Sequence, residues 1–234
     1  MNASVEAPDD LFPESLQKRI PCVILLDTSS SMEGDPISAL SKTLPRAKSA
    51  IENDNTAKLA VELAVITFGN GGVKCVQDWT DVSSFHPPVL SAGGTTPLGD
   101  ALNLAMDMID TRKAYYRQKG ASYYQPWLWI FTDGAPDKDA AWKTGSNRVK
   151  TAVENRKLAA WALTTDVHQE SLDRMGEAVS TNHILLLEQM NFEAAFEWLS
   201  KSLVRVSKTG NQADTDPLPP QIKFSDPFGA DPAS

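Results

Sequence analysis

Short apolar runs that lack any polar alternation set the strongest limit on what this chain can fold into. Cys22-Val-Ile-Leu-Leu26, Trp127-Leu-Trp-Ile-Phe131 and His183-Ile-Leu-Leu-Leu187 are three of them, and Lys157-Leu-Ala-Ala-Trp-Ala-Leu163 is a weaker fourth. Strands buried on both faces belong to a parallel sheet covered by helices on each side. Leu59 to Phe68 and Val73 to Trp79 flank Gly69-Asn-Gly-Gly72, a hairpin signature that predicts one antiparallel edge strand.

Other segments carry the helical period. Leu98, Ala101, Leu102, Ala105 and Ile109 form one apolar stripe, and Phe192, Ala195, Phe196, Leu199, Leu203 and Val206 form another. Asp35-Pro36 reads as an N-cap followed by proline at the first helical position. Ile37, Leu40, Leu44, Ala47 and Ile51 supply that helix's buried face, and Pro45 within it predicts a kink or break. Strands alternating with amphipathic helices give an α/β fold of the doubly wound type.

The ends differ from the middle. Residues 1–19 form a polar lead-in without a signal-like apolar stretch, and residues 20–207 form the folded body. Residues 208–234 hold five prolines and four aspartates and read as a mobile tail. No window reaches the roughly 18 apolar residues of a membrane span, so membrane insertion is not expected. Lys and Arg number 22 against 30 Asp and Glu, a net charge of −8. That balance disfavours nucleic acid, whose capture needs a basic face. Cys22 and Cys75 stand at no metal-ligand spacing and fit a reducing, cytoplasmic setting.

Three segments carry the chemistry: Asp27-Thr-Ser-Ser-Ser31 after the first buried run, Gly93-Gly-Thr-Thr-Pro-Leu-Gly99 before a helix, and Thr132-Asp-Gly134 after the tryptophan-rich run. In an open α/β sheet, ligands bind beyond the carboxyl ends of the strands where strand order reverses. Asp27 and Asp133 both sit at such ends. Ser29 and Ser31 follow at alternate positions, and a threonine from the glycine-rich loop could complete the set. Two carboxylates and three hydroxyls are hard oxygen donors suited to Mg²⁺, with Mn²⁺ or Ca²⁺ as alternatives. An open coordination position would attract an Asp or Glu from a partner protein.

These motifs resemble the von Willebrand factor A domain and its metal-ion-dependent adhesion site: D-x-S-x-S, then a threonine, then an aspartate followed by glycine. PCVILLDTSSSM, GGTTPLGDAL, SYYQPWLWIFTDGAP and EWLSKSLVRVS are similar to the bacterial tellurium-resistance-associated, TerY-like branch. The resemblance implies a six-stranded sheet with one antiparallel edge strand. It implies that Ser29 and Ser31 bind metal directly while Asp27 and Asp133 act mainly through water. Thr96 matches the motif threonine, with Thr95 a close rival. The implied partners are Ser/Thr kinases or PP2C-type phosphatases in a bacterial stress response.

Single-residue readings compete with the metal. Thr96 before Pro97 could be a helix cap, and Asp133-Gly134 a turn. Trp142 is a candidate contact at the metal rim, and Asp137 and Asp139 a solvated acidic rim. A Mg²⁺-dependent phosphohydrolase using Asp27 is the enzymatic alternative. A phosphoaspartate enzyme of the haloacid dehalogenase type, however, places a second aspartate where this chain has Ser29, which is no acid–base group at neutral pH. A purely structural cation is the third reading.

Overall fold

The computed structural model describes residues 18–137, 139–180, 183–187 and 191–210, and the backbone of 222–224. Seven strands make one sheet: β1 (Ile20–Thr28), β2 (Val61–Gly69), β3 (Gly72–Asp81), β4 (Trp127–Thr132), β5 (Ala159–Thr164), β6 (Ile184–Leu187) and β7 (Ile222–Phe224). Their order is β3-β2-β1-β4-β5-β6-β7. The five inner strands run parallel, and β3 and β7 are antiparallel at the two edges. The doubly wound, mostly parallel sheet with its antiparallel hairpin edge is as the sequence predicts.

β7 is the difference. It comes from the segment expected to be a mobile tail, pairs Ile222–Phe224 with Leu187–Leu185, and raises the sheet from the expected six strands to seven. Backbone pairing needs no apolar composition, so the proline-rich sequence around it gave no warning. The rest of that tail, 211–221 and 225–234, lies outside the described residues, as does 1–17 of the lead-in. Arg19 is already part of the body, since it is buried and bridges to Tyr123 beside β4.

Six α-helices among the described residues cover the sheet: α1 (Asp35–Glu52), α2 (Ala57–Ala60), α3 (Leu98–Lys119), α4 (Ala140–Glu154), α5 (Gln169–Val179) and α6 (Phe192–Thr209). Alternation along β1 divides the core. Cys22, Ile24 and Leu26 face α1, α2 and α6, whereas Val23 and Leu25 face α3, α4 and α5. Aromatic rings lock α6 to the sheet: Phe131 stacks on Phe196 at 4.2 Å, and Trp129 meets Trp198 edge-on at 5.2 Å. Trp127 and Trp129 are therefore core residues.

Helix α1 runs through Pro45 without the expected break. Its start is also one residue off: Gly34 is the N-cap and Asp35 the first helical residue. Between α3 and α4 the backbones touch, since a Cβ on Gly99 would meet the Trp142 nitrogen at 2.2 Å.

At the amino ends of the strands a buried ionic cluster ties the elements together. Glu62, 1% exposed, accepts from Arg19 Nη2 at 2.8 Å, from Arg112 Nε at 2.9 Å and from the Tyr116 hydroxyl. Arg19 also pairs with Asp81 and donates to the Leu59 carbonyl at 2.6 Å. Burial pushes the Glu62 carboxyl up, but Arg112, Arg19 and Tyr116 outweigh it and hold it below the ordinary glutamate range.

Candidate metal centre

Strand order reverses at β1, which has β2 on one side and β4 on the other. Asp27 stands near the carboxyl end of β1, and Asp133 follows β4 directly. Pairing in register from Cys22 with Trp127 to Leu26 with Phe131 carries both aspartates to the same edge. The two carboxylates thus arrive at the switch point as the sequence predicts.

There the side chains form one hydrogen-bonded run. Asp27 Oδ1 accepts the Ser29 amide at 2.8 Å, and Ser29 Oγ lies 3.0 Å from Ser31 Oγ. Ser31 Oγ donates to Asp133 Oδ1 at 2.8 Å. Asp27 is fully buried, Ser29 is 2% exposed, and Ser31 is open to solvent, so the run leads from the core to the surface.

Thr96 belongs to the clasping loop rather than to the run. Ser30 holds that loop: its amide and its hydroxyl both donate to the Gly94 carbonyl, at 3.1 and 3.0 Å. The Gly93 amide donates to the Thr28 carbonyl at 2.9 Å. The Thr96 carbonyl accepts from Leu98 at 2.7 Å and from Asp137 at 3.3 Å, joining the loop to the segment after β4. Thr96 is half-buried and Thr95 exposed, and neither hydroxyl has a hydrogen-bond partner among the described residues. The cap position of α3 is Pro97, so Thr96 stands one residue outside it. The competing cap reading is thereby removed.

Thr132 was missed as a site residue. Its hydroxyl donates to Asp27 Oδ2 at 2.5 Å, which occupies the second oxygen of that carboxylate. Its only sequence signal is adjacency to Asp133. Trp142 needs correction: it is 5% exposed, belongs to the core cluster under α3, α4 and α5, and donates its indole N–H to Glu177 of α5 at 2.9 Å. It is not a rim contact. Asp139 caps α4 through the Trp142 amide at 2.7 Å, and Asp137 is exposed.

Gly69 forms the floor on the β2 side. It has φ +135°, and a Cβ there would lie 2.2 Å from the Thr28 carbonyl carbon and 2.3 Å from the Ser29 nitrogen, the backbone that sets the serine loop. Gly69→Ala is expected to cost on the order of 2–3 kcal/mol, read as a lowered urea midpoint, because backbone rather than a flexible side chain must yield.

Electrostatics single out Asp27. Burial pushes its carboxyl from 3.8 up to about 6, hydrogen bonds from Ser29 and Thr132 oppose the rise, and the neighbouring Asp133 charge adds to it. Among the described residues no Lys, Arg or His side chain pairs with it. Among the described residues no three His, Cys, Asp or Glu side chains group as a metal cluster, so a cation here would depend on hydroxyls as much as carboxylates. The donor set is uniformly hard oxygen and carries two carboxylates that make no ion pair among the described residues, which fits a divalent ion.

The von Willebrand factor type A domain family matches residues 22–197, and the chain belongs to that family. No curated protein matches the sequence. Among solved structures, the pilus adhesin SpaC from Lactobacillus rhamnosus GG aligns with a TM-score of 0.62 at 15% identity, over 82% of this chain and 30% of its own. The vWF domain of the type V pili tip protein Mfa5 from Porphyromonas gingivalis aligns with a TM-score of 0.61 at 11% identity, over 81% and 96%. Proximal thread matrix protein 1 from the mussel byssus gives 0.55 at 14%, over 80% and 48%. The chain thus spans under a third of SpaC and about half of the byssus protein, and the likeness is one of fold. No helix among the described residues is long and apolar enough to cross a membrane.

Proposed function

We propose that this domain is a non-enzymatic protein-interaction module of the metal-ion-dependent adhesion type. Asp27, Ser29, Ser31, Thr96 and Asp133 hold a divalent cation, Mg²⁺ in the first place with Mn²⁺ or Ca²⁺ as alternatives, and an Asp or Glu of a partner protein completes its shell. The observation that carries this reading is the run Asp27–Ser29–Ser31–Asp133, which gathers two carboxylates at the strand-order switch with no ion-pair partner among the described residues.

The donors divide by availability. Both oxygens of Asp27 are engaged, by the Ser29 amide and the Thr132 hydroxyl, which suits a carboxylate acting through water. Ser29, Ser31 and Thr96 offer hydroxyl oxygens to the ion. A bound divalent ion supplies an electrophilic position for an incoming carboxylate. The protein holds the acceptors in place, and the rigid β1 and β4 ends fix their spacing.

The similarity of the PCVILLDTSSSM and SYYQPWLWIFTDGAP stretches to the TerY-like branch supports a cytoplasmic role in a bacterial tellurium-resistance or kinase–phosphatase stress system, with a Ser/Thr kinase or PP2C-type phosphatase as partner. Catalysis by Asp27 is disfavoured, because the residue two positions on is Ser29.

Ser29→Ala with Ser31→Ala is expected to abolish Mg²⁺-dependent capture of the partner kinase or phosphatase while leaving the circular dichroism spectrum unchanged. EDTA should act on the wild type in the same way. Capture that survives both treatments removes the metal from the mechanism. Metal-dependent melting without metal-dependent capture leaves a structural cation instead.

A further inference from the structure

A second site lies at the opposite pole, where the strands begin. A depression of about 620 Å³ is lined by Asp110, Lys113 and Arg117 of α3, by Tyr123 and its neighbours ahead of β4, and by Arg156 and Lys157 ahead of β5. Four cations face one carboxylate, a surplus of three positive charges in a chain whose net charge is −8. The lone carboxylate is already shared: Asp110 is 3.8 Å from Lys113 and 3.9 Å from Arg148. Among the described residues no carboxylate pairs with Arg117, Arg156 or Lys157, and the nearest polar partner of Arg117 is the Tyr123 hydroxyl at 3.5 Å.

Helix termini account for part of this concentration, but not for Lys113. Arg117 stands in the last turn of α3, where a cation offsets the helix dipole. Arg156 and Lys157 close the C-terminus of α4, their amides donating to the Val153 and Ala152 carbonyls at 2.9 and 2.8 Å, whereas Lys113 lies further back in α3. Arg156 adopts φ 54°, the left-handed backbone of a residue that ends a helix. Lys113 is only 14% exposed. Burial lowers its affinity for the proton, Asp110 opposes this, and Lys157 and Arg117 add to it. Like charges are thus held together with one of them desolvated, an arrangement that an anion would relieve.

We propose that this pole binds a small ligand through a diphosphate group. Such a group carries roughly three negative charges at neutral pH, matching the surplus. The volume falls within the range of small-ligand pockets, roughly 300–1,000 Å³. A long polyanion such as nucleic acid would meet the acidic remainder of the surface, so the site suits a compact ligand. Arg117 and Arg156 offer planar donor forks, and Lys113 and Lys157 offer point charges.

The test is isothermal titration of the full chain with pyrophosphate, ADP, adenosine and sulfate, at physiological ionic strength and in EDTA so that the metal centre contributes nothing. Saturable binding of pyrophosphate and ADP is expected, without binding of adenosine. Lys113→Gln combined with Lys157→Gln should weaken both at least about tenfold. Should that pair unfold the domain, Arg156→Gly carries the same expectation, since it removes an exposed side chain from a backbone that glycine favours. ADP binding more tightly than pyrophosphate identifies a nucleotide, and the reverse identifies the bare diphosphate. Absence of saturable heat with both, sulfate equalling pyrophosphate, or unchanged affinity in the folded variants overturns the proposal.

Discussion

Asp27→Asn is expected to make the metal-free protein more stable and at the same time blind to magnesium. The two effects have one cause. Burial beside Asp133 pushes the Asp27 carboxyl up to about 6. At neutral pH the folded state therefore contains an ionised group that it disfavours, and the unfolded chain does not bear that cost. Between about 4 and 6 the native state keeps a proton that the unfolded chain has released, so stability falls as pH rises through this window and levels off above it. The amide keeps the Ser29 acceptor, can donate to Thr132, and carries no charge. A gain of about 1–3 kcal/mol at pH 7.5 follows, with the slope between pH 4 and 6 flattened. Magnesium at a hundredfold excess over its dissociation constant should stabilise the wild type by about 2.7 kcal/mol and the variant not at all. Chemical denaturation at several pH values, with and without the ion, reads all three. A variant less stable than the wild type in EDTA would show that Asp27 is not held against its preference.

Glu62→Ala is expected to destabilise the domain by about 3–5 kcal/mol, because it leaves Arg19 and Arg112 buried without their common partner. Asp81 retains part of Arg19, but Arg112 loses its acceptor and is left against the Tyr115 and Tyr116 rings. The pH response is opposite in sign to that of Asp27. The Glu62 carboxyl is held below its ordinary 4.5, so its contribution is present above that value and fades as pH falls through the lowered one. Urea denaturation at pH 7 and over the acid limb measures both. A loss below about 1 kcal/mol would place the cluster among exposed ion pairs in its effect.

These two carboxylates mark where the sequence was legible and where it was not. Asp27 announced itself through D-x-S-x-S at the end of an apolar run, a local pattern with a local meaning. Glu62 sits inside a strand, and its partners Arg19, Asp81, Arg112 and Tyr116 are scattered along the chain, so only the fold gathers them. Helices divide similarly. Every residue of the apolar stripes that predicted α3 and α6 is buried, although the α3 stripe stops at Ile109 and the helix runs on to Lys119. The buried face of α4 includes Gly145 and Ser146, and that of α5 begins with Ser171, so small and polar residues concealed their periodicity. Trp142 shows the converse error. A large aromatic near a loop suggested a contact surface, whereas the close approach of Gly99 makes room for its backbone in the interior.

The short antiparallel pairing of Ile222–Phe224 with β6 covers the sheet at its far side. A chain cut after Gly210 would leave the outer row of β6 amides and carbonyls as a template for another molecule's strand. Truncation after Gly210 is therefore expected to promote self-association, read as a concentration-dependent increase in sedimentation coefficient.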